Sequence, residues 1–223
     1  MSDENSREHW LAVVKEDSRV LQFVPQELRD REIYLAAVRQ NSEALTFVPM
    51  ELRDRDLCMA AVRQNGLALQ YVPIELRDRE LCLIAVRQDG WALEYTPEGL
   101  RDRELYLAAV QQSSEALYFV PKELRDREMC LAAVQNKGGA LCYVPEELRD
   151  KELCLVAVQH DGRALQSVPN EVRDTELCRL AVSKDSDAFI YVPDAVRSDA
   201  TTPEEFLTQT ADEKDEESAG PSM

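Results

Sequence analysis

Residues 54–77 read D-R-D-L-C-M-A-A-V-R-Q-N-G-L-A-L-Q-Y-V-P-I-E-L-R, and at Asp78 the same string begins again. Asp54 is a good helix N-cap, and Asp56 falls in the first turn, where the helix dipole favours an acid. Leu57 to Val62 is apolar all round, as expected of a helix wedged between two neighbours. Arg63 and Gln64 begin its solvated end, and Asn65-Gly66 stops it. Serine replaces Gly66 in half of the equivalent places, so this position is expected to be the N-cap of a second, shorter helix over 67–72, not a left-handed turn. Within that helix Ala68, Leu69 and Tyr71 are expected to face inward. Pro73 has no backbone donor and should end the second helix or start a fresh turn. Leu76 should tuck under this turn before Asp78 caps the next long helix. One unit is therefore a helix of about 11 residues, a shorter helix and a tight return.

The unit recurs without slippage. Pro25, Pro49, Pro73, Pro97, Pro121, Pro145, Pro169 and Pro193 stand 24 residues apart. A fixed period between about 20 and 50 residues marks a solenoid, in which each unit completes its core against its neighbours. The expected fold is all-α, an αα-repeat solenoid of eight 24-residue units. Common helical-hairpin repeats take about 33–47 residues, and leucine-rich repeats need a strand signature absent here. The repeat domain is expected over 9–197, after an N-terminal segment, 1–8. A C-terminal cap follows over 198–209, starting at Thr202-Pro203-Glu204-Glu205, and then a disordered acidic tail, 210–223. A longer period overlies the first: 33–104 and 105–176 read as a duplicated three-unit block. Across it Arg39, Arg63 and Arg87 become Gln111, Gln135 and Gln159.

Hydrophobic residues make up 44% of the 223. Apolar runs are short, such as Leu81 to Val86, whereas a membrane span needs roughly 20 residues. Met1 to His9 is polar and lacks an apolar signal core, so export by the general secretory route is not expected. The formal net charge is −17, which repels phosphate backbones and makes nucleic acid a poor first guess for a partner. Five of the six cysteines (Cys58, Cys82, Cys130, Cys154 and Cys178) keep the 24-residue period, with Tyr34 and Tyr106 in equivalent places. Packed helices lie about 8–10 Å apart, while a disulfide needs Cα atoms within about 7 Å. The ladder cysteines are thus expected to be small buried hydrophobes of a reduced cytoplasmic protein, and Cys142, outside the ladder, a more exposed thiol.

The string A-V-R-Q-N-G-x-A-L-x-Y-V-P-x-E-L-R-D-R-E resembles the repeats of the family called domain of unknown function 4116, from about residue 9 to residue 197. The resemblance implies a helical repeat fold, found mostly in bacterial proteins that include candidate effectors of intracellular bacteria. It carries no activity, cofactor or catalytic residue across. Proline here often stands where the family pattern has serine.

For chemistry the sequence offers little. His9 and His160 are the only histidines, and no catalytic triad, phosphate loop or metal-ligand spacing accompanies them. No catalytic residue, cofactor or metal is therefore expected, and the protein is not expected to be an enzyme. The arginines Arg29, Arg53, Arg77, Arg101, Arg125, Arg149, Arg173 and Arg197 form the most regular polar row. They could bind carboxylates or phosphates, or brace a neighbouring unit while the following Asp caps its helix; identity in every unit favours the bracing role. Binding specificity is expected where the units differ. Leu67, Trp91 and Tyr118, with Met50 and Ile74 just after their prolines, make a candidate partner-binding patch. The alternative is that these side chains are half-buried against the next unit. Arg39, Arg63 and Arg87 form a candidate basic ridge, for an acidic partner or for the protein's own tail, or else a solvated one. The functional expectation is a cytoplasmic protein-interaction scaffold with an unidentified protein partner. Its alternatives are an effector secreted into a host cell, with the acidic tail as the signal, and a self-assembling structural repeat.

Overall fold

A computed structural model describes residues 6–209. The expected acidic tail over 210–223 lies outside the described residues, as do residues 1–5. The helices α1 (Arg7–Glu16), α2 (Arg31–Gln40), α3 (Arg55–Gln64), α4 (Arg79–Gln88), α5 (Arg103–Gln112), α6 (Arg127–Asn136), α7 (Lys151–His160) and α8 (Thr175–Lys184) are each 10 residues long. No strand occurs among the described residues. The fold class is all-α, a repeat solenoid of 24-residue units, and its contacts divide the chain into two compact bodies, Met1–Val120 and Pro121–Met223. In the first body α1 to α5 pack neighbour on neighbour, and in the second α6 to α8 do the same.

The local reading of the unit needs two corrections. The second helix is not α-helical: it is a six-residue 3₁₀ helix, Gly66–Tyr71 in the specimen unit, and a three-residue 3₁₀ turn, Ile74–Leu76, follows Pro73. The tighter winding lets three elements close within 24 residues. Nor is Gly66 the N-cap. Asn65 takes that place, its side chain accepting from the Leu67 amide at 3.0 Å, and Gly66 is the first helical residue. Gly66 has no left-handed backbone, as expected. Its role is steric: a Cβ here would lie 2.2 Å from the carbonyl oxygen of Ala85 in the next unit.

The core alternates between layers. Leu57, Cys58, Ala61 and Val62 of α3 are buried, and so are Ala68, Leu69 and Val72 of the 3₁₀ segment. In 3₁₀ geometry residues three apart eclipse, and Leu69 and Val72 share the buried side; Tyr71 is half-buried instead of inward. Leu76 is likewise only half-buried. The five ladder cysteines are buried free thiols, Tyr34 and Tyr106 are buried with them, and Cys142 is exposed.

Two arginine rows join the units. In the row read from the sequence, Arg53 donates through Nε to the Val48 carbonyl at 2.9 Å and through Nη1 to the Tyr71 carbonyl of the next unit at 2.6 Å. Arg77 repeats this with Val72 and Tyr95, and Arg149 with Val144 and Ser167. The second row begins each helix. Arg55 Nε lies 3.1 Å from the capping Asp78 of the next unit and its Nη2 2.5 Å from Glu80. Arg7, Arg31, Arg79 and Arg127 make the same double contact. Lys151 does so with Asp174 and Glu176, and at α8 the row ends on Thr175. Beyond α9 (Asp194–Arg197), a capping box of Thr202 and Glu205 starts α10 (Pro203–Thr208). There Phe206 is buried, 5.9 Å from the Phe189 ring.

Candidate partner-binding face

The candidate patch residues all sit on the 3₁₀ segments of the first body, where 42–47, 66–71, 90–95 and 114–119 pack side by side. Leu67 and Trp91 are second in their helices, with amides held by Asn65 and Asp89 at 3.0 and 2.9 Å. Met50 and Ile74 each open a short turn whose preceding proline carbonyl accepts from Leu52 or Leu76. The arginine braces grip this same backbone: Arg53 Nη2 reaches the Thr46 carbonyl at 3.5 Å and Arg77 Nη2 the Gln70 carbonyl at 3.2 Å.

Met50 is 61% exposed, Ile74 56%, Trp91 44% and Tyr118 63%. Leu67 is half-buried. Trp91 meets the edge of Phe119 with ring centroids 5.4 Å apart, and Phe119 meets Tyr118 at the same distance. The structure thus brings Trp91 and Tyr118 to one aromatic cluster through a residue the sequence reading did not single out. Two further aromatic side chains escaped it, Phe23 at 68% and Phe47 at 48% exposed. They occupy the position of Tyr71, which the sequence reading places inward. Ser167 at the equivalent place in the seventh unit was the available signal that this position tolerates water.

Arg39, Arg63 and Arg87 stand exposed in the last turns of α2, α3 and α4, where a cation suits the helix dipole. Arg39 and Arg63 border an open groove of 610 Å³ between α2 and α3, floored by Leu35, Met59 and Ala60. Arg87 lies 3.9 Å from Glu104. Glutamines tie the ridge together from below: Gln64 Nε2 donates to the Arg39 carbonyl at 2.9 Å and Gln112 Nε2 to that of Gln88 at 3.0 Å.

His9 and His160 are both exposed, the first in α1 and the second at the end of α7. Burial pushes the thiols of Cys58, Cys130, Cys154 and Cys178 up to about 11, and raises that of Cys82. These are packing groups rather than nucleophiles. Among the described residues no group of three His, Cys, Asp or Glu side chains could hold a metal ion, and no helix is long and apolar enough to cross a membrane.

Stacked 24-residue units with differing side chains on a shared backbone define a helical-repeat protein. The chain belongs to the family described as domain of unknown function (DUF4116), whose model matches residues 7–53, 54–101, 102–149 and 150–197 in tandem. Each match spans two structural units; the last three open on a capping aspartate, and all four close on a bracing arginine. No curated protein and no solved structure matches the chain.

Proposed function

We propose that the protein is a non-enzymatic scaffold that binds a protein partner across the 3₁₀ side of its first body. The observation that carries this reading is the exposure of Met50, Ile74, Trp91 and Tyr118 on neighbouring 3₁₀ segments whose backbone is braced by Arg53 and Arg77. Large apolar side chains held on a rigid frame lose little freedom on binding, and Trp and Tyr are common interface anchors. The buried, protonated ladder thiols suit a cytoplasmic setting.

The test places a photo-crosslinking amino acid at position 46, 47 or 70, exposed on the same 3₁₀ segments, with position 183 of α8 as the control. Expected is a discrete cross-linked partner from the first three positions, lost when Met50, Ile74 and Tyr118 are changed to Asp in a variant whose circular dichroism is unaltered. Cross-linking from position 183 alone, or full capture by the Asp variant, overturns the proposal.

A further inference from the structure

On the reading that the 3₁₀ side is the docking face, its charge says what kind of segment docks there. In α2 to α5 every first-turn acid is taken: Glu32 by Arg7, Asp56 by Arg31, Glu80 by Arg55 and Glu104 by Arg79. The 3₁₀ side is different. Glu27, Glu43, Glu51, Glu75, Glu94 and Glu98 are exposed there, and none has an ion pair among the described residues. The nearby cations are already engaged. Arg77, within electrostatic reach of Glu75, donates to the carbonyls of Val72, Tyr95 and Gln70. Arg19 is paired with Asp17.

The free carboxylates also alternate with the apolar anchors. Met50 adjoins Glu51, and Ile74 adjoins Glu75. Trp91 and Glu94 are three residues apart in one 3₁₀ helix (Gly90–Tyr95), where such pairs eclipse, so a carboxylate stands beside an exposed indole. An aromatic face next to a carboxylate attracts a cation twice, through the ring quadrupole and through the charge.

We propose that the partner is a basic, extended peptide segment, with lysine or arginine set beside aliphatic residues. Its cations meet Glu51, Glu75 and the Trp91–Glu94 pair, and its aliphatic side chains cover Met50 and Ile74. Successive units stack at the spacing of packed helices, about 8–10 Å, which one turn of an extended polyproline II chain spans, three residues at about 3.1 Å each, bringing the same face round again. One basic residue in three therefore meets one unit after another. A nucleic acid would face the same carboxylates with like charge, which disfavours it.

The test is fluorescence anisotropy on the full chain with three labelled peptides: tandem Lys-Leu-Ser, tandem Glu-Leu-Ser and tandem Lys-Gly-Ser. Expected is binding of the first at physiological salt, none of the second, and at least about tenfold weaker binding of the third. The E75Q/E94Q/E98Q variant should weaken the first peptide by about tenfold or more, and W91A should do likewise. The control variant E8Q/D199N/E204Q, which removes as many acids elsewhere, should change it by less than about twofold. No binding of Lys-Leu-Ser, preference for Glu-Leu-Ser, or equal weakening by both triple variants overturns the proposal. If the cross-linked partner is lost in the M50D/I74D/Y118D variant but kept by E75Q/E94Q/E98Q, the face stands and the basic partner is wrong. If neither variant loses it, the face itself is wrong.

Discussion

The guanidinium of Arg53 donates to the carbonyl of Tyr71 at 2.6 Å, from one unit into the 3₁₀ segment of the next. Arg55, two residues further on, spends its charge differently, on the exposed carboxylates of Asp78 and Glu80. The two rows look alike in sequence and should differ in weight. Removing Arg53 orphans part-buried carbonyls at Val48 and Tyr71, at a cost of about 2–4 kcal/mol. Removing Arg55 breaks pairs that water already screens, worth about 1 kcal/mol or less. Urea unfolding of R53M beside R55M should show the first midpoint well below the second. Equal midpoints would mean that the carbonyl braces carry no special load.

Gly66 and Gly99 make a similar pair. A Cβ on Gly66 meets the Ala85 carbonyl oxygen at 2.2 Å, while one on Gly99 meets nothing within 4 Å. Gly66→Ala must push two units apart and should cost about 1–3 kcal/mol. Gly99→Ala only removes freedom from the unfolded chain and should stabilise by about 0.4–1 kcal/mol. Thermal melts of the two variants should therefore move in opposite directions. A Gly66→Ala melt unchanged from wild type would show that the neighbouring helix gives way at no cost.

These two glycines also show where the sequence could and could not be read. The period, the Asp caps, the apolar helix Leu57 to Val62 and the buried cysteines were legible because the same signal recurs in most units. The winding of the second helix was not, because six residues are too few to separate a three-residue turn from a 3.6-residue one. Tyr71 is half-buried where an inward place was expected, and its equivalents Phe23 and Phe47 are exposed. The Asn65 cap was overshadowed by the glycine beside it, although Asp89 and Asp161 stand in the same place. The Arg55 row does not stand out in the sequence, since its partners lie 23 and 25 residues away.

The capping aspartates set the response to acid. The Leu81 amide holds the Asp78 carboxyl below the ordinary carboxylate range; partial burial opposes this and Arg55 adds to it. Asp102 is held down in the same way by Leu105 and Arg79. A carboxyl whose folded pKa is depressed binds its proton more readily in the unfolded chain. Its stabilisation is therefore complete above the unfolded value, about 3.9, and drains away as pH falls through the folded value. The melting temperature should be flat from neutral pH down to about pH 5 and drop below about pH 4. D78N, which keeps a capping oxygen without the charge, should flatten that drop. A melting temperature that rises on acidification would contradict the assignment.

Cys142 and Cys154 lie twelve residues apart in sequence and should behave as different chemical species. Cys142 is exposed on its 3₁₀ segment, whereas Cys154 is sealed inside α7 with its Sγ 3.5 Å from the Arg149 carbonyl. Burial pushes the Cys154 thiol up to about 11, so near pH 8 only about one molecule in a thousand carries the thiolate that attacks a disulfide reagent. The other ladder thiols are shifted the same way. Ellman's reagent added to the native protein should release one fast equivalent, abolished by Cys142→Ser. The remaining five thiols should react only at the rate of unfolding, and at once in urea. A second fast equivalent in the native protein would mean that the ladder opens locally. The slowest-reacting cysteine, mapped by mass spectrometry, would then mark the most stable unit.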